Sequence, residues 1–382
     1  MKRLKFTAIS FLLLSASVAN AGDPVKYNDF VFKYSGLLGG YYGIMETGDN
    51  HNADNLSNRW VYRGDANLAL EYLINNEYTV GVKSSAASIF KAHDIGRRNG
   101  DWRFYPNLYL DSPYGDTSIG YTFNTAYLGH MGAKEITFLG ICDSNITYFL
   151  TNPNWKNGKH SVKHALPKST KIMDDGRALK FNYITPEIGN TKLGFSYTPK
   201  NEHRRGMVSR YANYEKRDDG YAFSMNNEWK SSFADVYTSV GYGIYNSTDK
   251  ELSLGLTIEK GDFNAATGYK KAYVDGTKNP ITTSMIDSRL PAYFDNYRES
   301  QAWDISVGYK YDKFKTNLAY LYTKSDNTRH QEHIYIFSNI YNITKWFEVY
   351  GIGAYINAKG LEKHSNDNNK GYAVITGIGF RF

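Results

Sequence analysis

Two sets of charged side chains have the types and spacing to act on ions in water. The first set is basic and alternates with apolar residues in short segments: Arg59, Arg63, Lys83, Arg103, Lys180 and Arg381. The second set is acidic and lies in one long irregular segment: Glu135, Asp143, Asp174 and Asp175. If the two sets face each other across water, they set up a transverse electric field that sorts solutes by charge. The spacing alone does not determine which of these residues contribute to that field. Some of them could instead face solvent at the rim of a pore or pair with each other.

Catalytic and metal-binding patterns are weak in this chain. The nine histidines fall in loops or at strand ends, and no serine–histidine pair is predicted on adjacent strands. His160 and His164 have the spacing of one helical face, but lysines surround them and no acidic third ligand follows. The acidic pairs Asp218-Asp219 and Asp174-Asp175 are weak Ca²⁺ candidates, since acidic pairs are common in loops. We expect no catalytic residue, no resident metal and no cofactor.

The N-terminus has the three features of a secretory signal peptide. Lys2, Arg3 and Lys5 form a basic start, Phe6 to Val18 is mostly apolar, and Ala19-Asn20-Ala21 is a small-x-small cleavage site. We therefore expect residues 1–21 to be a signal peptide and residues 22–382 to form the mature domain.

The composition of the mature chain narrows its class. After Ala21 no apolar run reaches the ~20 residues that a spanning helix needs. The formal charge of +7 falls to +4 once the three basic residues of the signal are removed, so nucleic-acid binding is not indicated. A single cysteine, Cys142, excludes a disulfide framework. The 34 Tyr, 20 Phe and 6 Trp suit a bilayer interface, and a soluble Tyr-rich β-sandwich is the alternative.

Alternation of apolar and polar residues recurs along the mature chain. Trp303, Ile305 and Val307, for example, share one face of a predicted strand, with polar residues between them. With Phe30 to Met45 as the first strand, about sixteen strands are predicted, an even number as in bacterial barrels. Two strands are ambiguous: His333 to Tyr341 is apolar on both faces, and Phe347 to Tyr355 needs a bulge or a glycine. The other faces are expected to be mainly Ser, Gly, Asn and charged residues, which suits a wet interior.

The connections between these strands alternate between short and long. Short turns are predicted near Asn75, Pro113 and Pro186, and the longest connection runs from about Asn124 to Gly176. Because a bilayer admits only helices and closed barrels, this pattern predicts an all-β transmembrane antiparallel barrel. A long loop inside a compact domain is usually functional or disordered, and we expect residues 124–176 to fold inward as a constriction loop.

Local motifs resemble the general diffusion porins of Gram-negative outer membranes, of alphaproteobacterial type. The segment from Asn107 to Gly120 is similar to the porin hairpin before the constriction loop, and Phe181 to Pro186 with Leu193 to Tyr197 is similar to the hairpin after it. The terminal Phe382 is similar to the aromatic residue that porins present to the barrel assembly machinery. The resemblance implies a homotrimer of sixteen-stranded barrels in the outer membrane, in contact with lipid and lipopolysaccharide, through which small hydrophilic solutes and ions diffuse passively.

The predicted loop departs from the family in its charges. It lacks the Pro-Glu-Phe-type acidic tip of many porins and contains several lysines, including Lys134 and Lys171. The sequence therefore does not establish whether acidic loop residues face a basic wall, as they do in the family. The loop lysines leave a slight preference for anions as a further alternative. Three alternatives remain: a channel selective for anions or sugars on the same barrel, a non-conducting surface or adhesin barrel, and a barrel enzyme, which the absence of a serine–histidine pair disfavours.

Overall fold

The computed structural model describes residues 24–48, 56–75, 77–91, 103–137, 139, 169–172, 176–201, 217–245, 249–274, 299–326, 331–359 and 369–382. Within these ranges the chain consists of antiparallel strands and one short helix. The elements are β1 (Val25–Tyr27), β2 (Phe30–Gly48), β3 (Leu56–Leu73), β4 (Thr79–Lys91), β5 (Arg103–Ser112), β6 (Gly115–Thr122), α1 (Thr125–Leu128), β7 (Ala178–Ile184), β8 (Thr191–Asn201), β9 (Arg217–Trp229), β10 (Asp235–Tyr245), β11 (Asp249–Lys260), β12 (Phe263–Val274), β13 (Ser300–Tyr311), β14 (Phe314–Ser325), β15 (Gln331–Asn342), β16 (Phe347–Lys359) and β17 (Asn369–Arg381).

Strands β2 to β17 form a closed barrel in which each strand pairs with its neighbours in the chain. The barrel closes where β17 pairs with β2, from Lys370 opposite Gly48 to Arg381 opposite Leu37. The short β1 lies outside this count because it pairs only with the start of β2. Closure leaves no edge of unpaired backbone groups, which is the condition for crossing hydrocarbon. The predicted sixteen-stranded barrel is confirmed.

The two faces of β13 show how side chains divide between the interior and the outside. Trp303, Ile305 and Val307 are 50%, 51% and 53% exposed, although all three are apolar. Ala302 and Asp304, which alternate with them, are buried inside the barrel. An apolar outer face is what contact with lipid requires, so the alternation predicted for this strand is confirmed.

The inner faces of β14 to β17 differ from the expected mixture of Ser, Gly, Asn and charged residues. Ile334 and Ile336 on β15 and Ile352 on β16 point inward and are buried. One apolar face of His333 to Tyr341 therefore contacts lipid and the other packs inside the barrel, which explains the ambiguous pattern. β15 and β16 pair without interruption, so Phe347 to Tyr355 needs no bulge.

The C-terminal residue is held by β2. The N–H of Phe382 donates to the carbonyl of Gly36 over 3.1 Å, and the N–H of Gly36 donates back to the carbonyl of Phe382 over 2.7 Å. A Cβ on residue 36 would lie 2.3 Å from ring atom Cζ of Phe382. Glycine at this position therefore leaves room for the terminal aromatic ring.

Tight turns join the strands at the end of the barrel that carries the C-terminus. Asn75 Oδ1 accepts from the N–H groups of Glu77 and Tyr78, each over 2.9 Å. Gly189 and Gly261 adopt left-handed backbone conformations, with φ of 63° and 55°. The long connections at the opposite end fall largely outside the described residues. Among the described residues, no helix is long and apolar enough to span a bilayer.

Candidate functional site

The chain turns into the barrel directly after β6. Asn124 caps α1, its side-chain oxygen accepting from the N–H of Tyr127 over 2.7 Å. Its side-chain amide also donates to the carbonyl of Ile172 over 3.3 Å, which joins the outgoing arm of the long segment to the returning arm. The N–H of Thr125 donates to Ser196 Oγ on the inner face of β8 over 2.8 Å. One residue thus orients the helix start and ties the two arms together.

Polar side chains on the inner wall then bind the backbone of the outgoing arm in sequence. We call these side chains the polar track: Ser196 on β8, Asn226 on β9, Ser239 on β10, Asp304 and Ser306 on β13, and Asn317 on β14. Ser239 Oγ accepts from the N–H of Met131, and Ser306 Oγ accepts from the N–H of Lys134, each over 2.9 Å. Asn317 donates to the carbonyl of Lys134 over 2.9 Å. The track satisfies backbone groups that would otherwise be buried without partners.

Glycines lie where the arms approach the wall most closely. A Cβ on Gly255 would lie 2.4 Å from the carbonyl oxygen of Met131. A Cβ on Gly268 would lie 2.7 Å from Thr170 Oγ1, on the returning arm. A side chain at either position would push the segment off the wall, so these glycines provide the space it occupies.

Asp304 holds both arms at once. It is 2% exposed and points inward from β13. Its Oδ1 accepts from the N–H of Ala133 over 2.8 Å, and its Oδ2 accepts from the hydroxyl of Thr170 in a short hydrogen bond. Hydrogen bonds to a charged acceptor are stronger than neutral ones, at about 1.5–3 kcal/mol each. Asp304 therefore attaches both arms to the wall through one side chain.

Ion pairs strengthen the attachment on β11 and β12. Lys270 and Glu251 are both buried, with 2.5 Å between Nζ and Oε1. Lys270 Nζ also donates to the carbonyl of Lys171 over 3.1 Å, so this pair contacts the returning arm. Lys134 on the outgoing arm pairs with Glu259 of β11. Lys134, a lysine of the predicted loop, is therefore held at the wall by an ion pair.

His130 lies between the outgoing arm and the wall. Its Nε2 is 2.9 Å from Thr170 Oγ1. Burial, together with the charges of Lys171 and Lys270, lowers the pKa of His130 from 6.5 to about 3. The imidazole is therefore neutral at neutral pH, and protonating it requires either a large energetic penalty or release of the segment.

From Ala133 onward the segment also makes apolar contacts with the inner wall. Ala133, Ile136 and Leu139 pack against a buried cluster on the inner wall. The cluster spans β13 to β17 and continues onto β2 and β3: Ala302, Ala319, Leu321, Ile334, Ile336, Ile340, Tyr350, Ile352, Ala354, Ile356, Ala373, Ile375, Tyr41 and Val61. Burying one leucine side chain contributes about 2 kcal/mol. The described part of the segment is thus held by hydrogen bonds near β8 to β14 and by apolar packing further round the barrel.

A column of stacked groups connects the two ends of the segment. The rings of Phe123 and Tyr127 stack with centroids 3.8 Å apart. The Arg177 guanidinium lies 4.8 Å from the Phe123 ring centroid and 4.5 Å from that of Tyr105. Lys171 Nζ lies 4.8 Å from the Tyr127 centroid. Cation–π contacts of this kind add about 0.5–2 kcal/mol each.

The inner wall of β2 to β5 carries a second charged group. Lys33 Nζ lies 2.6 Å from Glu71 Oε1, and the hydroxyl of Tyr109 donates to the same oxygen over 2.5 Å. Lys83 Nζ lies over the Tyr109 ring, 4.8 Å from its centroid, and its side chain is exposed to the interior. Lys83 therefore presents a positive charge to water inside the barrel.

Three of the predicted basic residues lie on the inner wall, and each has different contacts. Arg63 pairs with Asp65, two residues along the same strand. Arg381 pairs with buried Glu348 at 2.8 Å, close to the turn end. Lys180 is fully buried, and its Nζ donates to the carbonyl of Gly176 over 2.6 Å, so it supports the base of the segment and does not line open water. Within the ranges that the structure describes, the wall thus carries cations in ion pairs and, in Lys83, a cation with no ion-pair partner.

The remaining predicted residues are only partly described. Arg59 and Arg103 lie on β3 and β5, but their side chains are outside the described part of the chain. Glu135 is exposed on the outgoing arm. Asp143, Asp174 and Asp175 lie outside the described residues, as do His160 and His164. No group of three His, Cys, Asp or Glu within the described ranges could hold a metal ion.

Sequence reasoning did not single out the residues that hold the segment, Asp304 above all. Alternation placed Asp304 on an inner face, but its partners Ala133 and Thr170 lie 171 and 134 residues away along the chain. An isolated acid among small inward residues such as Ala302 and Ser306 was the available signal, because small neighbours leave room for a second backbone.

A family model of the Gram-negative porins matches residues 7–361. The chain belongs to the Gram-negative porin family. It is an outer-membrane diffusion channel, as the family and the closed barrel together require. No curated protein sequence matches the chain.

Solved porin structures share the fold at low sequence identity. OmpF of Salmonella typhi, in complex with daunomycin, has a TM-score of 0.59 at 13% identity, covering 94% of this chain and 100% of that one. The anion-selective porin of Comamonas acidovorans has a TM-score of 0.57 at 12% identity, covering 92% and 100%. The trimer form of OmpT of Vibrio cholerae has a TM-score of 0.57 at 13% identity, covering 93% and 100%. At these identities the likeness is one of fold alone.

Proposed function

We propose that this porin admits small hydrophilic solutes with little discrimination, through a bore narrowed by residues 124–176. The observation that carries the proposal is the double attachment at Asp304, which binds Ala133 of the outgoing arm and Thr170 of the returning arm. A segment whose two described arms are held on the inner wall would narrow the interior, and pore size would then set the exclusion limit.

Weak charge selectivity follows from the pairing of the wall charges. Lys33 pairs with Glu71, Arg63 with Asp65 and Arg381 with Glu348. Each pair largely cancels its own field at the distance of a passing ion. Lys83 lacks an ion-pair partner among the described residues, so it supports a slight preference for anions.

We further propose a functional division among the charged residues. Arg59, Arg63, Lys83, Arg103 and Arg381 form the wall side of the constriction, and Glu135, Asp143, Asp174 and Asp175 form the loop side. Lys180 is reassigned to the base of the loop because its ammonium group contacts Gly176. No catalytic role is proposed for any of them.

A sugar-selective channel is less well supported. Such a channel needs exposed aromatic faces along the bore. The inward rings of Tyr41 and Tyr350 stack on each other with centroids 5.2 Å apart, as do Phe123 and Tyr127 at 3.8 Å. Because these faces contact other groups, they offer little area to a pyranose ring.

The porin is proposed to assemble as a homotrimer. A hollow of about 480 Å³ lies on the outward face of β15 to β17 and β2, lined by Phe337, Val374 and Ile44 among others. Gly351 and Gly353 lie at this hollow, and a Cβ on either would meet no atom within 4 Å. A neighbouring subunit can fill this space with its own side chains. A solved structure of similar fold, OmpT of Vibrio cholerae, is a trimer form, which supports the proposal of a trimer.

The termini are proposed to serve targeting and assembly. Residues 1–21 would be removed as a signal peptide, which leaves residues 22–382 as the barrel domain. Phe382, bound to Gly36 at the turn end, would be the residue presented to the barrel assembly machinery before β17 closes on β2.

The test is single-channel recording from the mature trimer in a planar bilayer under a tenfold KCl gradient. We expect conductance steps in groups of three and a small reversal potential. Lys83→Gln should lower the anion-to-cation permeability ratio by at most about fivefold, since one charge at 4 Å in water contributes about 1 kcal/mol. Lys313→Gln, in the turn between β13 and β14, removes the same charge away from the bore and should leave the ratio unchanged. A large reversal potential in the wild type, or block by a single solute, would replace this proposal with a selective channel.

A further inference from the structure

The seam of the barrel is the pairing of β17 with β2, the last and first strands of the closed sheet. No turn or loop joins these two strands directly, so their contact depends on hydrogen bonds and side chains. The inner face of β17 carries Gly377 and Gly379. Glycine weakens a strand because it loses the most conformational freedom on folding and has no side chain to pack. The seam therefore needs support from the side chains of neighbouring strands.

Two tyrosines on the strands that flank β17 meet above it inside the barrel. Gly377 is the direct partner of Tyr350 on β16 and of Tyr41 on β2. The two tyrosines are therefore separated by two strand spacings, roughly 10 Å. Their rings nevertheless stack with centroids 5.2 Å apart, and the two residues are 0% (Tyr41) and 2% (Tyr350) exposed. This contact is possible because the residue between them has no side chain.

Glycines on both strands of the seam provide the surface on which the rings lie. A Cβ on Gly377 would lie 2.7 Å from Tyr41 Cδ1 and 3.2 Å from Tyr350 Cδ2. A Cβ on Gly379 would overlap the hydroxyl of Tyr350, and one on Gly39 of β2 would lie 3.1 Å from Tyr41 Cε2. The same glycines that weaken β17 as a strand therefore allow the two rings to cover it.

A buried carboxylate joins the ring contact to the end of β17. The hydroxyl of Tyr350 donates to Glu348 Oε1 in a short hydrogen bond. Glu348 Oε2 lies 2.8 Å from Nε of Arg381, the last residue of β17, and Glu348 is 2% exposed. Charge-assisted hydrogen bonds of this kind are stronger than neutral ones. We refer to Tyr41, Tyr350, Glu348 and Arg381 as the seam clasp.

We propose that the seam clasp keeps the barrel closed by resisting the separation of β17 from β2. The two rings cover the inner face of β17, so β16 and β17 leave β2 together only after Tyr41 and Tyr350 unstack. The ion pair between Glu348 and Arg381 holds the end of β17 against β16, so β17 does not leave alone. The aromatic rings replace the packing that glycines lack. The clasp thus determines how long the barrel stays closed, whichever solutes pass through it.

The test measures the rate at which mature trimers lose β-sheet circular dichroism in denaturant at a fixed temperature. Tyr41→Ala and Tyr350→Ala should each unfold at least about tenfold faster than the wild type, because removing a buried aromatic side chain changes the unfolding equilibrium by more than about 100-fold. The double variant should fall short of the product of the two single effects by about fivefold, the factor that a stacked aromatic pair contributes beyond its buried area.

The matched control is Tyr245→Ala. Tyr245 is also an inward tyrosine, 2% exposed, and it also packs against glycine, since a Cβ on Gly243 would lie 2.7 Å from its hydroxyl. It lies on β10, away from the seam. This variant removes the same ring from the inner wall and should also speed unfolding, so the rate alone does not identify the seam.

A reversible tether separates the seam from the rest of the barrel. Leu38→Cys/Phe380→Cys places two thiols at direct cross-strand partners on the outward face of the seam, and Cys142→Ser removes the native thiol. With the disulfide formed, the seam cannot open, so Tyr41→Ala should unfold at the rate of the tethered wild type. A reductant should restore the difference. Tyr245→Ala should unfold faster than the wild type in both states.

Gly377→Ala serves if Tyr41→Ala fails to fold, because its Cβ, 2.7 Å from Tyr41 Cδ1, forces the rings apart. The proposal would be overturned if the folded variants unfolded as slowly as the wild type. It would also be overturned if either variant unfolded faster than the wild type by the same factor with the disulfide formed and reduced, because the rings would then act away from the seam.

Discussion

Replacing Asp304 with Asn tests whether one carboxylate keeps residues 124–176 docked. The side chain is buried, and its two oxygens accept from Ala133 N–H and Thr170 O–H. An asparagine keeps the shape and one acceptor oxygen, but it places an NH₂ donor where the second acceptor was. If the amide oxygen faces Ala133 N–H, the NH₂ faces Thr170 Oγ1, and the hydroxyl must turn round to accept from it, so the bond to the returning arm becomes a weaker neutral one.

The expected cost is about 1 kcal/mol, the difference between a hydrogen bond to a charged group, about 1.5–3 kcal/mol, and a neutral one, about 0.5–1.5 kcal/mol. Since 1.4 kcal/mol changes an equilibrium constant tenfold, the ratio of undocked to docked segment should rise about fivefold. A segment that is undocked about 0.1% of the time would then be undocked about 0.5% of the time. Such a change is visible in a single-channel record.

The assay is the fraction of time that Asp304→Asn trimers spend at an altered conductance level. Asp312→Asn is the matched control, because Asp312 lies in the turn that follows β13 at φ 47°, where asparagine is well tolerated. Thr170→Val removes only the bond to the returning arm and serves if Asp304→Asn fails to fold. The reasoning would be refuted by folded Asp304→Asn and Thr170→Val trimers whose records match those of the wild type and of Asp312→Asn.

Two other substitutions test the same docking from different directions. Gly255→Ala places a Cβ 2.4 Å from the carbonyl oxygen of Met131, so it should raise the current noise in single-channel records. The pKa of His130 is about 3 when docked and near 6.5 when released, so only the undocked state binds a proton as the pH falls from 6.5 towards 3. His130 should therefore contribute a weakening of docking of about 1.4 kcal/mol per pH unit in that window, measured as the difference in undocked time between the wild type and His130→Gln in recordings at stepped pH. His130→Gln should flatten this dependence, and an unchanged slope would contradict the assignment.

The barrel could be predicted from the sequence because a bilayer permits few solutions. Alternation such as that of Trp303, Ile305 and Val307 recurs in about sixteen segments. In a bilayer, strands of this kind can satisfy their backbone hydrogen bonds only by closing into a barrel. The same logic failed for β14 to β17. Period-two alternation identifies which face is apolar only when the other face is polar, and Ile334, Ile336 and Ile352 are apolar residues that point inward.

The candidate site was predictable in outline but not in its attachments. The length and irregularity of residues 124–176 indicated an inward segment, and the arms that the structure describes contact the inner wall. Lys180, however, appeared to be one wall charge among several, and its burial against Gly176 is a consequence of how the returning arm enters β7. The alternation of residues along a strand does not reveal that Lys180 contacts Gly176, because that contact depends on the path of the returning arm.

The sequence by itself determined the class of this protein: alternating strands, alternating turn lengths and an aromatic-rich composition are local properties, and each follows from the need to present one face to lipid. Only the tertiary structure decided what holds the inner segment. Asp304 meets Ala133 and Thr170 because barrel closure brings β13 opposite a chain that leaves β6 and returns to β7.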